Sequence, residues 1–487
     1  MRKDVITMKN TKRLFAGLMA LSMVGSLTAC GGDGTDAPIT EATTTTAKTV
    51  EVNTETLSAE DEEKLDDVAS NLLTGELENK TIKWFSFYDP FHATGSGNTK
   101  ALSLELFETK YGGEIEYIET TWANRFNDLS TKILGGEGVD FIAGGDLDGF
   151  PRGVPNGQFQ PYDDYMDWEN PLWAEWKELN DMFLMGSNHY LIVPQSTIGQ
   201  VVVYNRATIE AMGMDDPADL LEEGNWTWDT FRDMLIDYVD VESEQYGLDG
   251  WFNEKPLMLT SGVPAVEMKD GKLVHNLLDP NLERVMNFMY ELNTSGLVLD
   301  KNLFNWAEHP EFIGEGKELF YIGGMYVLES SPDIWTETFG AQEDVMFVPL
   351  PKDPQAEQHY VPAGMEAYLL CKGAQNPEGV MKFMECILAA NADPSTQEIG
   401  LQKRKDDYGW SDEMIEMHAK VTEMARANPV YDLTSGVPAD LSSILDSGEY
   451  GVRAAFAGLE WATVRESLID VANTYIDEFN ATAESMG

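Results

Sequence analysis

Between Thr81 and Gly144 the chain switches back and forth between two hydrophobic periods, and this restricts its fold more than any other feature. TIKWFSF (81–87) reads as a buried strand, and the helix after it carries Leu104, Phe107 and Tyr111 on one face. EIEYIE (114–119) alternates as a strand does, a second helix carries Phe126, Leu129 and Ile133, and VDFIAG (139–144) supplies a third strand. Strand, helix, strand, helix, strand at this spacing requires right-handed crossovers, which predicts an α/β architecture with a parallel sheet. In open sheets of this kind ligands gather at the carboxyl ends of the strands.

Those ends share a chemistry. Phe87, Tyr88 and Asp89 follow the first strand, Thr120, Thr121 and Trp122 the second, and Gly144, Gly145, Asp146 and Asp148 the third. Aromatic faces beside carboxylates suit a sugar, whose C–H faces lie on rings while its hydroxyls donate to acidic oxygens. Each residue taken singly is also explained by packing or helix capping. Their coincidence at three strand ends favours a ligand.

Further along, LIVP (191–194) and VVVYNRATIEAMGM (201–214) read as strand, strand and helix, and GNWTWDTF (224–231) follows at once. Thr227 fits a helix N-cap, with Trp228 and Phe231 on one face of the helix it opens, so these rings point to core packing rather than to a ligand platform. LTSGVPA occurs at 259–265 and again at 433–439 with unrelated flanks, as two similar turns would.

Composition removes several classes of function. Asp plus Glu number 84 against 33 Lys plus Arg, a formal charge of −51, which repels nucleic acid and anionic lipid. At 487 residues and 43% hydrophobic content the chain can still fill two or three cores. The histidines at 92, 189, 275, 309, 359 and 418 form no zinc spacing, and Gly316-Lys317 is followed by Glu318, so no phosphate-binding loop is written there. Neither metal nor cofactor is expected. A pair of glycosidase carboxylates needs no local motif and stays open on this reading.

The first thirty residues form a separate unit: Arg2, Lys3, Lys9, Lys12 and Arg13, then an apolar stretch from Leu14 to Thr28, too short for a permanent membrane span. The stretch ends in Leu27-Thr28-Ala29-Cys30, which resembles a bacterial lipobox. That resemblance implies a signal peptide over 1–29 and a lipid on Cys30. Residues 30–56 are small, polar and Thr-rich, a tether with a reach of about 30 Å. Within 57–80, Ser58 and Asp61 offer a cap, Leu65, Val68, Ala69, Leu72 and Leu73 follow helical spacing, and Gly75 marks a stop. Cys371 and Cys386 sit in apolar surroundings; one disulfide between them stays open, but two buried free thiols fit those surroundings better.

Taken in order, the lipobox, the tether, LELFETKYGGEIEYI (104–118), VVVYNRATIEAMGM running into LLEEGNWTWDTFRDML (220–235), YIGGMYVLES (321–330) and YLLCKGAQNPEGVMKFMECIL (368–388) resemble the extracellular solute-binding proteins, family 1, of sugar ABC transporters. The likeness is spread over residues 81 to 475. It implies a two-lobed periplasmic-binding-protein-like fold of type II, each lobe a mostly parallel sheet flanked by helices, with hinge strands between. Lobe 1 would be 81–192 with 363–415, and lobe 2 would be 193–362 with 416–487. It also implies a monomeric, non-enzymatic receptor, lipid-anchored on the extracellular face of the cytoplasmic membrane, that hands a mono- or oligosaccharide to permease subunits. Positions matching the family's ligand loops are Tyr88, Asp89, Asp146, Gln195, Trp251, Tyr326 and Glu366, to which the strand-end chemistry adds Trp122; Trp461 is a further candidate for the rim. The Gly-Gly before Asp146 and the Met365-Glu366 pair depart from the commoner loops, so the resemblance names no particular sugar. Two other readings are a secreted carbohydrate-active enzyme and a glycan-binding adhesin or sensor without transport.

Overall fold

The computed structural model describes residues 57–92, 100–250, 254–330, 332–340, 344–448 and 450–485. The leader, Cys30, the tether and Trp251 lie outside the described residues. Within them twelve strands follow one another: β1 (Thr81–Ser86), β2 (Glu114–Glu119), β3 (Phe141–Ala143), β4 (Leu191–Ile198), β5 (Gln200–Asn205), β6 (Tyr246–Gly250), β7 (Val266–Lys269), β8 (Lys272–His275), β9 (Glu318–Gly324), β10 (Val345–Val348), β11 (Val361–Leu370) and β12 (Pro429–Val430).

The predicted alternation is present. β1 lies between β2 and β3 and is parallel to both, with helices Leu102–Tyr111 and Arg125–Gly135 as the crossovers. Each crossover helix stops at a glycine in the left-handed region, Gly112 at φ 59° and Gly136 at φ 69°, where a side chain would be strained. β11 then joins antiparallel to β3 and β4 and parallel to β12, giving the order β12-β11-β3-β1-β2 with β4 also on β11.

The second sheet has the order β10-β5-β9-β6, and here the expectation of a mostly parallel sheet fails. Only β6 and β9 are parallel, while β5 is antiparallel to both β9 and β10. A single residue, Gly199, separates β4 from β5, so β5 runs straight on from the first sheet. It enters the second sheet against the direction of its neighbours, and a parallel partner would have needed its own crossover.

Where the chain passes between the sheets it is narrow. A Cβ on Gly199 would lie 2.9 Å from the Pro362 carbonyl oxygen, and one on Gly364 would lie 2.7 Å from Thr197 Oγ1. Bare backbone lets β4 and β11 cross this closely. Helix Asp412–Ala427 packs over the crossing against β4, β11 and β10. It holds Glu222 through Lys420, Arg206 through Glu413, and Glu175 through Arg426 at 3.3 Å.

One apolar cluster surrounds the outer face of the first sheet, with Trp84, Phe107, Phe141, Tyr368 and Phe383, and it takes in Leu65, Val68 and Ala69. Those three belong to helix Ala59–Leu72, which Ser58 caps by accepting from the Asp61 N–H as its sequence predicts. A larger cluster fills the second sheet and reaches Phe150 and Leu191. GNWTWDTF is part of it. Thr227 accepts from the Thr230 N–H, Trp228 stacks on Phe288 at 4.8 Å, Phe231 stacks on Phe320 at 4.9 Å, and the Trp226 and Trp228 indoles donate to Pro349 O and Thr260 Oγ1. Cys371 and Cys386 are free and buried. Trp461 is only 2% exposed, at the start of helix Trp461–Glu484, which corrects its candidacy for a rim: its ring packs into the second core. Among the described residues no helix is long and apolar enough to cross a membrane.

Candidate functional site

The loops after β1 and β2 touch one another through their aromatic rings, and Arg125 ties the loop after β3 to them through Asp148. Phe87 lies 4.8 Å from Tyr88 and 5.0 Å, edge-on, from Trp122, and the Tyr88 carbonyl is held by the Trp84 indole at 3.0 Å. The Arg125 guanidinium lies 3.5 Å over the half-buried Trp122 ring and also pairs with Asp148. Burial pushes that guanidinium down to about 10, Asp146 pulling the other way, so it remains charged at neutral pH.

The two glycines ahead of Asp146 have a steric cause. Gly144 N–H donates to Ala367 O at 2.7 Å, and a Cβ on Gly145 would stand 2.5 Å from Met365 O. Only bare backbone can lie this near β11, and it sets the loop that carries Asp146 against that strand. Glu366 accepts from the Tyr368 hydroxyl at 2.5 Å, at a register shift in the β11–β4 ladder, and pairs in register with Gln195. Gln195 Oε1 in turn accepts from Asn391 at 2.9 Å.

The electrostatics bind these residues into one recess. Burial raises both the Asp146 and the Glu366 carboxyls; Arg125 opposes it at the first and Tyr368 at the second. Tyr88, although 43% exposed, has its hydroxyl pushed up by burial and then by the charges of Asp146 and Glu366. Tyr326 follows β9 in the other sheet and is 64% exposed; its hydroxyl is pushed up by burial and then by Glu308 and Asp146. Tyr88 and Tyr326 thus stand open to solvent at strand ends of the two sheets, each beside acidic side chains.

Of the other predicted residues, Asp89 turns inward. Its carboxylate accepts from the Phe91 and His92 N–H groups and meets His92 Nδ1 at 2.8 Å, so it holds its own turn together, and its charge falls on Tyr117. Trp251 cannot be placed, lying outside the described residues. Three residues of the site escaped the sequence reading: Arg125, Glu308 and Lys301. Lys301 Nζ reaches Gly250 O at 3.0 Å, Glu308 at 3.2 Å and Asp249 at 3.4 Å. Arg125 had a faint signal in its i, i+3 spacing from Trp122; the segment holding Lys301 and Glu308 has no periodicity that would place it.

Among the described residues no group of three His, Cys, Asp or Glu is arranged for a metal. Acceptor oxygens and ring faces dominate, and both nearby cations are engaged by carboxylates. Such a surface receives hydrogen-bond donors and C–H faces, and it repels anions.

Residues 94–393 match the sequence model of the bacterial extracellular solute-binding proteins. Among curated proteins no sequence relative matches the chain. Solved structures that share the fold include a sugar transporter of Rhizobium etli in an open conformation, 13% identical, TM-score 0.58, over 81% of this chain and 99% of that one. The galacto-N-biose/lacto-N-biose I-binding protein of Bifidobacterium longum, in complex with lacto-N-biose, is 14% identical with TM-score 0.54, over 82% and 97%. An ABC transporter solute-binding protein of Thermotoga lettingae bound with α-D-tagatose is 15% identical with TM-score 0.52, over 83% and 100%. At these identities the likeness establishes a two-lobed fold and leaves the ligand to be argued from the cleft.

Proposed function

The chain belongs to the bacterial extracellular solute-binding protein family, and from that premise we propose that it captures a neutral mono- or oligosaccharide between two closing lobes and delivers it to the permease of an ABC transporter. The observation that carries the reading is that two different sheets each present an exposed tyrosine just past a strand end, Tyr88 after β1 and Tyr326 after β9. The sugars held by the Bifidobacterium and Thermotoga proteins support the same ligand class.

Magnitudes favour closure over a one-sided surface. Micromolar binding needs about −8 kcal/mol, whereas one aromatic stack contributes about 1 kcal/mol and a charge-assisted hydrogen bond about 1.5–3 kcal/mol. Both sides must therefore contribute, and a ligand that touches both draws the open state toward the closed one. We take the lobes as 81–192 with 363–415 and 193–362 with 416–487, hinged where Gly199 and Gly364 let β4 and β11 cross. The receptor acts as a monomer, held at the extracellular face of the cytoplasmic membrane by a lipid on Cys30. We read it as a binder rather than a hydrolase, since its family consists of binding proteins.

Calorimetry against a panel of neutral sugars tests the proposal. Binding of at least one, with Asp146→Ala weakening it, is the expected result. Should peptides or polyamines bind while every neutral sugar fails, the ligand class is wrong.

A further inference from the structure

Between helix Pro280–Thr294 and helix Phe312–Glu315 runs a strap, residues 299–309, whose two ends are fastened to the carboxyl end of β6. Leu299 N–H donates to Leu248 O at 2.8 Å and Lys301 Nζ to Gly250 O at 3.0 Å at one end; His309 N–H reaches Asp249 Oδ2 at 3.3 Å at the other. Phe304 fills the space beneath, edge-on to Tyr246 at 5.4 Å and to His309 at 4.9 Å. The strap is thus pinned at both ends and packed under its middle.

At its crest the backbone turns left-handed twice running, at Asn305 with φ 55° and Trp306 with φ 64°. Asparagine tolerates that region, but for a bulky ring it is an outlier. Trp306 is also 71% exposed, the most exposed aromatic ring among the described residues. The left-handed backbone at a bulky residue costs folding free energy that the uncovered indole does not offset by burial, and such an outlier is one from which a functional role is argued. Its location agrees. β6 and β9 are parallel neighbours, and their carboxyl ends bear the strap and Tyr326.

We propose that Trp306 is a stacking residue for the bound saccharide, placed outward of Tyr326, and that the ligand is an oligosaccharide whose outer units reach it. The proposal rests on the carbohydrate reading above and adds a residue and a chain length to it. A unit held between Asp146 and Tyr326 leaves the next units facing the strap, where a fixed indole offers a flat apolar face.

The test is calorimetry of the full-length chain with neutral gluco- and galacto-oligosaccharides of one to four units, on the wild type, Trp306→Ala, Trp306→Tyr and Tyr326→Ala. Trp306→Ala is expected to weaken the tri- and tetrasaccharide by about five-fold, to leave the monosaccharide unchanged and to keep the melting temperature, with Trp306→Tyr recovering most of the loss. If Tyr326→Ala weakens every sugar and Trp306→Ala none, the role of Trp306 is overturned while the carbohydrate reading stands. Equal losses for one unit and for four would overturn the chain length. Failure of every saccharide to bind the wild type would remove the carbohydrate reading and this proposal with it.

Discussion

Trp226, Trp228 and Phe231 lie within a few residues of one another and are closed off from solvent, whereas Tyr88 and Tyr326 come from distant parts of the chain and stand open just past the ends of β1 and β9. In the first group each indole N–H has a fixed acceptor and the rings of Trp228 and Phe231 stack on Phe288 and Phe320. In the second group burial and then neighbouring carboxylates push both hydroxyls up. The difference teaches that crowding of rings in sequence signals a packed helix start. Single rings placed just after strand ends signal a surface, because a strand end is where backbone leaves the core.

The contrast can be broken most forcefully at Trp228. Replacing it with Ala should cost about 3–5 kcal/mol in denaturant unfolding, since it empties a buried stack, while the molecules that remain folded keep their affinity. An affinity loss at unchanged stability would place that ring on the wrong side of the comparison. Arg125→Met should come next, at about 3 kcal/mol, because Asp148 is left without its partner in a largely enclosed setting. It should also lower affinity by freeing Trp122 to move, so it is the one variant expected to affect both properties.

Tyr326→Ala should leave stability within about 0.5 kcal/mol and weaken binding by about 1 kcal/mol, the mirror image of Trp228→Ala. The smallest effect concerns pH. Asp146 and Glu366 are raised from ordinary values of 3.8 and 4.5 by burial. Their stabilising contribution is therefore complete below those values and is lost as pH rises through the raised ones. Affinity runs the other way, because sugar hydroxyls donate to the ionised form, so binding should weaken a few-fold as pH falls from neutral through the raised values. Asp146→Asn should flatten that profile; an unchanged slope would detach Asp146 from the ligand.

Much of the first sheet was legible because each clue was local. The periods of 81–144 and the Ser58 and Thr227 caps act over one or two turns of chain. The direction of β5 was not legible. It follows from a one-residue link at Gly199, and nothing within Gln200–Asn205 states which neighbours it will meet. Asp89 misled for a related reason: a carboxylate after a strand looks alike whether it faces a ligand or ties its own turn to His92.

Charge balance, apolar periodicity and the order of its signature segments were enough to determine an α/β binding protein with acidic and aromatic loops at its strand ends. Which of those loops share a cleft was decided only in three dimensions. Gly144 and Gly145 let the loop that carries Asp146 lie against β11, and β4 and β11 pass close to each other where Gly199 and Gly364 carry no side chain. Local patterns are set by neighbours along the chain and survive in any context. Contacts across a cleft depend on the closest distance two backbones can reach, which no single segment encodes.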